Sequence, residues 1–415
     1  MKVFKFGGAS LKNAPAIKNV AAIVKNHSKT ELLVVVSAIG KTTDALEKII
    51  SLAQAGKSFQ EEFNLLKEYH LQLVNDLFTD SKEVTDLLNV LFEELHVKAS
   101  QRGEYDFAYD QVIGFGEIIS STIVHYFFLS DGINTEWVDS RKYIHTDSTY
   151  REGQVEWNVT AKKIKVLESL LNDKIIITQG FIGSNAKGDS ISLGREGSDF
   201  TAAIYGSLLM AESVTIWKDV PGVMSADPKR SPKAVVFEEL PYKETAEMTY
   251  YGASVIHPKT VKPLANKGIP LLVKSFVDPT LDGTKIHECH VNNLPPLIVH
   301  KENQCLISCK VTDYTFITEE QLGAIFQTIS ESGIRINMMQ NSAISFSFCV
   351  DYRENRVLKL IDALSKNFEV YYNSGLTLIT VKNYDSRTFD EYKGLKGVIL
   401  EQSSRAALQV LVQRK

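Results

Sequence analysis

Apolar runs that alternate with helical segments constrain the fold of this chain most strongly. Residues 3–6 form a short β-prone run, a segment with helical apolar spacing follows, and Leu32–Val36 is an unbroken run of apolar residues. An unbroken run of this kind is typical of a strand that is buried on both faces. Two such strands joined by a helix require a parallel sheet covered by helices. The sequence therefore predicts an α/β fold.

The element order changes beyond Pro295-Pro296. Before that point we predict a helical pair over 63–97, a long apolar helix after Gly114, and strands at 175–178, 214–217 and 269–273. After it, residues 306–372 read as β-α-β-β-α-β, which is a ferredoxin-like plan. A strand at 376–381 and a hairpin over 398–412 follow. The chain of 415 residues thus divides near 292–296.

Composition narrows the class of partner. Lys and Arg number 46 against 50 for Asp and Glu, and no basic block occurs, so nucleic acid and anionic membranes are not expected partners. No apolar run approaches membrane-spanning length, and Lys5 interrupts the only candidate for a signal peptide. The cysteines lack a C-x-x-C pair, which favours reduced thiols in a cytoplasmic protein. They are Cys289, Cys305, Cys309 and Cys349.

Histidines do not indicate a metal site. His257 precedes the helix-starting Pro258 and has no partner at ligand spacing. His287 and His290 are spaced as metal ligands, but they lie in a linker-like segment, and we interpret them as ordinary linker residues. We therefore predict no metal-ligating residues in the chain.

The first ten residues predict a strand and a Gly7-Gly8 turn, and the following Ser10, Asn13 and Pro15 are residues typical of a helix start. Glycines allow close backbone approach, a helix start binds anions, and Lys5 adds a positive charge, so phosphate is the expected ligand. A simple tight corner is the alternative. The later Gly40-Lys41-Thr42 is not a P-loop, because Val35 occupies the required glycine position.

Two further charged residues stand at predicted helix starts. Glu117 lies in the first turn of the apolar helix, where it either complements the helix dipole or binds a substrate ammonium group. Arg195 precedes a small-residue helix and is well placed to bind a carboxylate in a bidentate manner. Ser198 is the predicted N-cap of that helix.

Six motifs, in this order, resemble those of aspartate kinases in the amino-acid kinase family. They are K-F-G-G-A-S, V-V-S-A with Thr43, G-F-G-E, T-Q-G-F-I-G with L-G-R-E-G-S-D-F-T-A-A, W-K-D-V-P-G-V with A-D-P, and Y-G-A-S-V-I-H-P. The resemblance implies a carbamate kinase-like three-layer αβα domain over 1–291, an ACT-like domain over 297–374 and a reduced second ACT-like module over 375–415. In that module the first helix covers at most 386–392, and the last helix is missing.

The same resemblance implies an activity and a set of site residues. The reaction is ATP-dependent phosphorylation of the L-aspartate side chain to 4-phospho-L-aspartate and ADP, with Mg²⁺ as the charge partner of ATP, as the first step of lysine, threonine and methionine biosynthesis. Lys5 and Asp199 would be catalytic, with Asp199 orienting Lys5. The implied phosphate and ATP contacts are Lys5, Gly7, Gly8, Ser10, Lys218, Asp219, Met224, Lys229 and Lys259. The implied aspartate pocket consists of Ser37, Thr43, Glu117, Phe181, Arg195 and Ser198.

Three positions depart from the family pattern. Lys218 stands where relatives usually have threonine, Met224 where they have tyrosine, and Ser254 where they have lysine, with Lys259 as the candidate to replace that charge. These departures concern nucleotide contacts more than the reaction.

The ACT-like region implies regulation and assembly. A lysine or threonine effector is expected near Asn337, Met338, Gln340 and Asn341, and a homodimer is expected through this region. Two other functions remain open from the sequence: another amino-acid kinase acting on glutamate, acetylglutamate or a nucleotide, and a non-catalytic amino-acid sensor. Glu117 and the ACT-like region argue against the former, and intact Lys5, Arg195 and Asp199 argue against the latter.

Overall fold

The computed structural model describes residues 1–27, 31–253, 256–312 and 315–413. Its internal contacts divide the chain into two compact units. The first comprises Met1–Val223, Val236–Ala246 and Ser254–Val291, and the second comprises Met224–Val235, Glu247–Ala253 and Asn292–Lys415. The domain boundaries that we predict from the sequence stay a prediction.

The first unit contains an eight-stranded sheet in the order β3-β4-β2-β1-β7-β9-β10-β8. A separate hairpin is formed by β5 and β6. The strands are β1 (Lys2–Phe6), β2 (Leu32–Val36), β3 (Thr135–Val138), β4 (Ile175–Gln179), β5 (Ile182–Ser184), β6 (Ser190–Ser192), β7 (Ser213–Lys218), β8 (Glu239–Pro241), β9 (Leu271–Ser275) and β10 (Thr284–His287). The sequence did not predict β8 and β10, which are short and lie at one edge of the sheet.

Helices accompany this sheet along the chain up to residue 291. They are α1 (Ala14–Lys25), α2 (Thr42–Gln54), α3 (Gln60–Leu77), α4 (Lys82–Ser100), α5 (Tyr105–Ile113), α6 (Phe115–Ser130), α7 (Trp157–Ile164), α8 (Glu168–Leu171), α9 (Gly197–Leu208), α10 (Tyr242–Tyr250) and α11 (Pro258–Ala265). The predicted helical pair and the long apolar helix are confirmed as α3, α4 and α6. All five residues of β2 are buried, as expected for a central strand with both faces covered. The predicted α/β class is confirmed.

One helical stretch has the length and composition of a membrane span. Tyr105–Ser130, which comprises α5 and α6, passes that test, contrary to the expectation that no apolar run approaches this length. However, 83% of its most apolar window is buried inside the protein. Core packing therefore accounts for its apolar composition.

The second unit is built on a six-stranded antiparallel sheet in the order β12-β13-β11-β14-β16-β15. The element order β11-α12-β12-β13-α13-β14 confirms the predicted ferredoxin-like plan. Its elements are β11 (Leu297–Lys310), α12 (Glu319–Glu331), β12 (Ile336–Asn341), β13 (Ser345–Asp351), α13 (Glu354–Leu364), β14 (Glu369–Lys382), α14 (Ser386–Lys393), β15 (Val398–Ser403) and β16 (Ala407–Val412). Because β14 pairs with both β11 and β16, one sheet contains residues of both predicted C-terminal modules.

One predicted helix start is confirmed and another is wrong. Ser10 lies in a short 3-10 turn, Gly8–Leu11, and α1 then begins with Asn13 as its N-cap and Pro15 in its first turn. The side-chain oxygen of Asn13 accepts a hydrogen bond from the backbone N–H of Ala16. Ser198 is not the N-cap of α9, because Glu196 holds that position in a left-handed conformation.

Candidate active site

The carboxyl ends of three neighbouring parallel strands meet at one edge of the large sheet. β1 pairs in parallel with β2 on one side and with β7 on the other. Phe6, the last residue of β1, lies opposite Val36 and Trp217 near the ends of those strands. The chain therefore leaves all three strands at a similar level, and open α/β sheets bind ligands at such an edge.

Lys5, Asp199 and Lys218 form a charged cluster in this unit. The Nζ atom of Lys5 is 2.6 Å from Oδ1 of Asp199, and the Nζ atom of Lys218 is 3.7 Å from Oδ2. The Asp199 side chain is 3% exposed and that of Lys5 is 12% exposed. β1, the first turn of α9 and the end of β7 thus bring together three residues that are far apart in the sequence.

The two lysines determine the charge state of Asp199. Burial alone would raise the pKa of this carboxyl group, but the neighbouring ammonium groups of Lys5 and Lys218 outweigh it and hold the pKa below its ordinary value. Asp199 is therefore ionised at neutral pH. A carboxylate held between two ammonium groups can fix their positions while a net positive charge remains for an anionic ligand.

The glycine turn after β1 packs closely against a second loop. A Cβ atom on Gly8 would lie 2.6 Å from the carbonyl oxygen of Ala38 and 2.9 Å from that of Gly40, so no larger residue fits there. The backbone N–H of Gly40 donates a hydrogen bond to the carbonyl oxygen of Gly8. The hydroxyl group of Ser10 is fully buried and donates to the carbonyl oxygen of Gly7. Ser10 consequently stabilises the turn in this structure.

The loop that Gly8 contacts runs from Ser37 at the end of β2 to Thr43 in the first turn of α2. Thr42 anchors it through His70, a fully buried residue of α3 whose pKa is lowered to about 4 by burial. The Nδ1 atom of neutral His70 donates to the carbonyl oxygen of Leu66, so Nε2 accepts from the Thr42 hydroxyl at 3.2 Å. The sequence prediction assigned no chemistry to this helix, because a lone histidine among leucines gives no signal.

Glu117 is buried in the first turn of α6, with 4% of its side chain exposed. Its Oε1 atom accepts a hydrogen bond from the backbone N–H of Ala38, and its Oε2 atom has no hydrogen-bond partner among the residues that the structure describes. Burial raises the pKa of Glu117 to about 8, against the opposing effects of that hydrogen bond and of the Lys5 charge. An unpartnered buried carboxyl oxygen near the charged cluster favours a cationic guest.

Ser198 and Phe181 pack tightly around the start of α9. A Cβ atom on Gly180 would lie 2.4 Å from Cβ of Ser198, and one on Gly197 would lie 2.7 Å from the Phe181 ring. Phe181 has a positive φ of 70°, and its backbone N–H donates to the Thr201 hydroxyl. Glycine at positions 180 and 197 therefore allows the chain that follows β4 to pack closely against the first turn of α9.

Two residues with ionisable side chains stand at this helix start. Arg195 is exposed, and in the described part of the chain it forms no ion pair, which leaves its guanidinium group available to a ligand. Glu196 was missed by the sequence analysis. Burial raises its pKa, and it interacts electrostatically with Lys218 and Asp199. Its position inside the L-G-R-E-G-S-D motif was the available signal.

The family model for the amino acid kinase family matches residues 1–275. The chain belongs to this family. Among curated relatives, the chloroplastic bifunctional aspartokinase/homoserine dehydrogenase 2 of Arabidopsis thaliana is 31% identical over 390 residues, which cover 90% of this chain and 42% of that protein. The lysine-sensitive aspartokinase 3 of Escherichia coli K12 is 30% identical over 362 residues, covering 84% of this chain and 78% of that protein. The chain thus spans about two fifths of the bifunctional relative and most of the single-function one.

Solved structures of E. coli aspartokinase III share the fold of this amino acid kinase family member. The complex with aspartate and ADP has a TM-score of 0.84 at 26% identity, and the alignment covers 99% of this chain and 96% of that chain. The complex with lysine and aspartate has a TM-score of 0.83 at 25% identity, with the same coverage. The likeness therefore includes both the kinase domain and the C-terminal region.

The remaining predicted nucleotide contacts lie in both units. In the first unit, Asp219 is exposed after β7, and Lys259 is half-buried in the first turn of α11. Met224 and Lys229 belong to the second unit, the former half-buried and the latter exposed. Ser254 lies outside the described residues. The roles of these residues stay predictions.

The predicted effector residues lie on β12 of the second unit. The side-chain N–H₂ of Asn337 donates to Gln304 and to Asp351, at 2.7 and 2.8 Å, and its oxygen accepts from Lys301. Met338 is 3% exposed and packs in an apolar cluster with Leu306 of β11 and Leu376 of β14. Of the four predicted effector residues, Gln340 and Asn341 are the two with exposed side chains.

Proposed function

We propose that this chain is an ATP-dependent aspartate kinase that converts L-aspartate and ATP to 4-phospho-L-aspartate and ADP. The observation that carries the proposal is the cluster of Lys5, Lys218 and Asp199 beside the glycine turn after β1, in the same unit as the buried Glu117. The ligands of the similar E. coli structure, aspartate and ADP, support the substrate assignment.

Each part of the site has a role in this proposal. The exposed Arg195 would bind a substrate carboxylate, and the unpartnered Oε2 of Glu117 would accept hydrogen bonds from the substrate ammonium group. Ser37, Thr43, Phe181 and Ser198 would line the remainder of the aspartate pocket. The backbone of the turn at Gly7 and Gly8, with Ser10 behind it, would contact the phosphates.

The reaction follows from charge and position. An oxygen of the substrate side-chain carboxylate attacks the γ-phosphorus, the bond from that phosphorus to the β,γ-bridging oxygen breaks, and ADP leaves with the electron pair. A carboxylate is already ionised at neutral pH, so no residue has to remove a proton from it. Lys5, held by Asp199, is positioned to stabilise the negative charge on the transferred group, as is Lys218.

The proposal includes Mg²⁺ with the nucleotide. When bound, this ion would neutralise part of the triphosphate charge. The phosphates would be its principal ligands rather than a set of protein carboxylates, because Asp199 is already paired with two ammonium groups. Asp219, Met224, Lys229 and Lys259 would contact the nucleotide.

A coupled assay of ADP release tests the activity. The chain should release ADP with L-aspartate and not with glutamate or acetylglutamate, and Lys5→Ala should reduce turnover by ~10²–10³-fold through lost charge stabilisation. Lys12→Ala is the matched control, because Lys12 is an exposed lysine just beyond the glycine turn. ADP release with another acid only would favour a different amino-acid kinase, and none with any acid would favour an amino-acid sensor.

Regulation and assembly are part of the same proposal. Lysine or threonine would bind near Asn337–Asn341 in the ACT-like sheet, with a coupling of ~1–3 kcal/mol to the kinase site, and two chains would associate through this region. The lysine-bound E. coli structure supports an effector of this class. A cytoplasmic location and a step in lysine, threonine and methionine biosynthesis complete the proposal. Identical ADP release with and without lysine and threonine would contradict the regulatory part.

A further inference from the structure

Three side chains of metal-binding type come together at one edge of the eight-stranded sheet. The edge strand β8 begins with Glu239 and pairs in parallel with β10, which ends with His287. Cys289 follows two residues later. Their ligand atoms, a carboxylate oxygen, an imidazole nitrogen and a thiol sulfur, all lie within 4.8 Å of one another.

The distance between His287 and Glu239 is close to a ligand–ligand distance of a tetrahedral site, and the thiol lies within 4.8 Å of both. Nε2 of His287 is 3.1 Å from Oε1 of Glu239. Around a tetrahedral Zn²⁺ ion, neighbouring nitrogen, oxygen and sulfur ligands are ~3.4–3.6 Å apart, as the usual metal–ligand bond lengths require. Glu239 is exposed and the other two residues are half-buried, so small side-chain rotations would reach these distances without movement of the strands.

The donor set selects the class of metal. A thiolate and an imidazole are soft or borderline ligands that suit Zn²⁺, whereas Mg²⁺ and Ca²⁺ prefer oxygen ligands alone. Cys289 is the one described cysteine that is not buried, so it is accessible to an ion from solvent. The neighbouring carboxylates of Glu239 and Glu288 both interact electrostatically with this residue, and their negative charge favours a cation, although Lys285 opposes it.

We propose that Glu239, His287 and Cys289 bind one Zn²⁺ ion, with a water molecule as the fourth ligand. The ion would connect the end of β10 to the edge strand β8. These two strands share a short ladder from Lys285 to His287, so an additional cross-link would stabilise this edge. The site lies apart from the residues assigned to phosphoryl transfer, and it does not depend on the proposed function.

Cobalt substitution tests the site directly. The untagged chain of 415 residues is treated with a chelator, dialysed and titrated with Co²⁺, and a thiolate-to-cobalt charge-transfer absorption should saturate at one equivalent. Cys289→Ser should abolish this absorption, and His287→Gln should weaken Co²⁺ binding at least ~10-fold, the effect of removing one orienting or direct ligand. Glu239→Gln should weaken it less, because its side chain is more exposed than that of His287.

His290→Gln is the matched control, because His290 is an exposed histidine in the same segment and lies outside the cluster. It should bind Co²⁺ as the unchanged protein does. Addition of Zn²⁺ should raise Tm by roughly 3 °C or more in the unchanged protein and in His290→Gln, but not in Cys289→Ser. Absence of the charge-transfer absorption, its persistence in Cys289→Ser, or an equal Tm rise in all variants would overturn the proposal.

Discussion

Replacement of Glu117 by glutamine should change how stability depends on pH. Burial raises the pKa of Glu117 to about 8 in the folded chain, compared with 4.5 in an exposed carboxyl group. Between these values the folded state binds a proton that the unfolded state has released. The stability of the unchanged protein therefore falls as pH rises through this window.

The size of the effect follows from the two pKa values. At full ionisation the burial of Glu117 costs ~5 kcal/mol, and most of this cost, ~3 kcal/mol, develops between pH 5 and pH 8. Glu117→Gln removes the titration but keeps an oxygen that can accept the hydrogen bond from the backbone N–H of Ala38. The variant should therefore gain stability relative to the unchanged protein as pH rises.

Urea unfolding of both proteins at half-unit intervals from pH 5 to pH 8 measures this difference. Glu68→Gln, at an exposed position on α3, is the control and should show a difference that does not vary with pH. A pH-independent difference for Glu117→Gln as well would refute the reasoning, because it would mean that Glu117 is ionised throughout the range.

Ligand binding provides a second readout of the same residue. If the ammonium group of aspartate pairs with Glu117, binding at pH 7 should release about one proton, since the guest favours the ionised carboxylate. Calorimetry in two buffers with different ionisation enthalpies measures that release. Glu117→Gln should abolish it, and release that persists in the variant would assign the proton to another group.

Further substitutions test the cluster and the residues that support it. Asp199→Asn should lower turnover ~10²-fold or more with unchanged circular dichroism, because two ammonium groups lose their shared carboxylate. Gly8→Ala should lower the free energy of unfolding in urea by ~1–3 kcal/mol, because its Cβ atom would lie 2.6 and 2.9 Å from two backbone oxygens. Gly7→Ala is the control. Its Cβ atom would meet only the Nζ atom of Lys5, at 3.4 Å, so it should lower the free energy by less than ~0.5 kcal/mol. Loss of the hydrogen bond between Thr42 and His70, by His70→Leu or by Thr42→Val, should raise KM for aspartate ~5–10-fold with little change in kcat. The double variant should have the same KM as either single variant, because both changes remove the same interaction. Additive increases in KM would show that the two residues act separately.

Most of the fold was predictable because buried strands and helices have characteristic patterns of apolar residues in the sequence. The run Leu32–Val36 is apolar at every position because β2 is covered on both faces, and the ferredoxin-like order of the second unit appears as alternating strands and helices. The short strands β8 and β10 were not predicted, since three or four residues carry little periodicity. Ser198 was misplaced as a cap because local residue preference does not reveal that Glu196 adopts a left-handed conformation.

The sequence by itself determined the residue types of the site and their positions in the secondary structure. Lys5 precedes a glycine turn, and Glu117 and Asp199 lie in the first turns of helices. Only the tertiary structure decided that Lys5 and Lys218 share one carboxylate and that Glu117 keeps an unpartnered oxygen in the core. The reason is physical, because the parallel register and the desolvation of a carboxyl group depend on elements that are far apart in the chain. Only the tertiary structure also brings Glu239 close to His287 and Cys289. Glu239 comes from the neighbouring strand β8, so the spacing of the other two residues in the sequence does not reveal it.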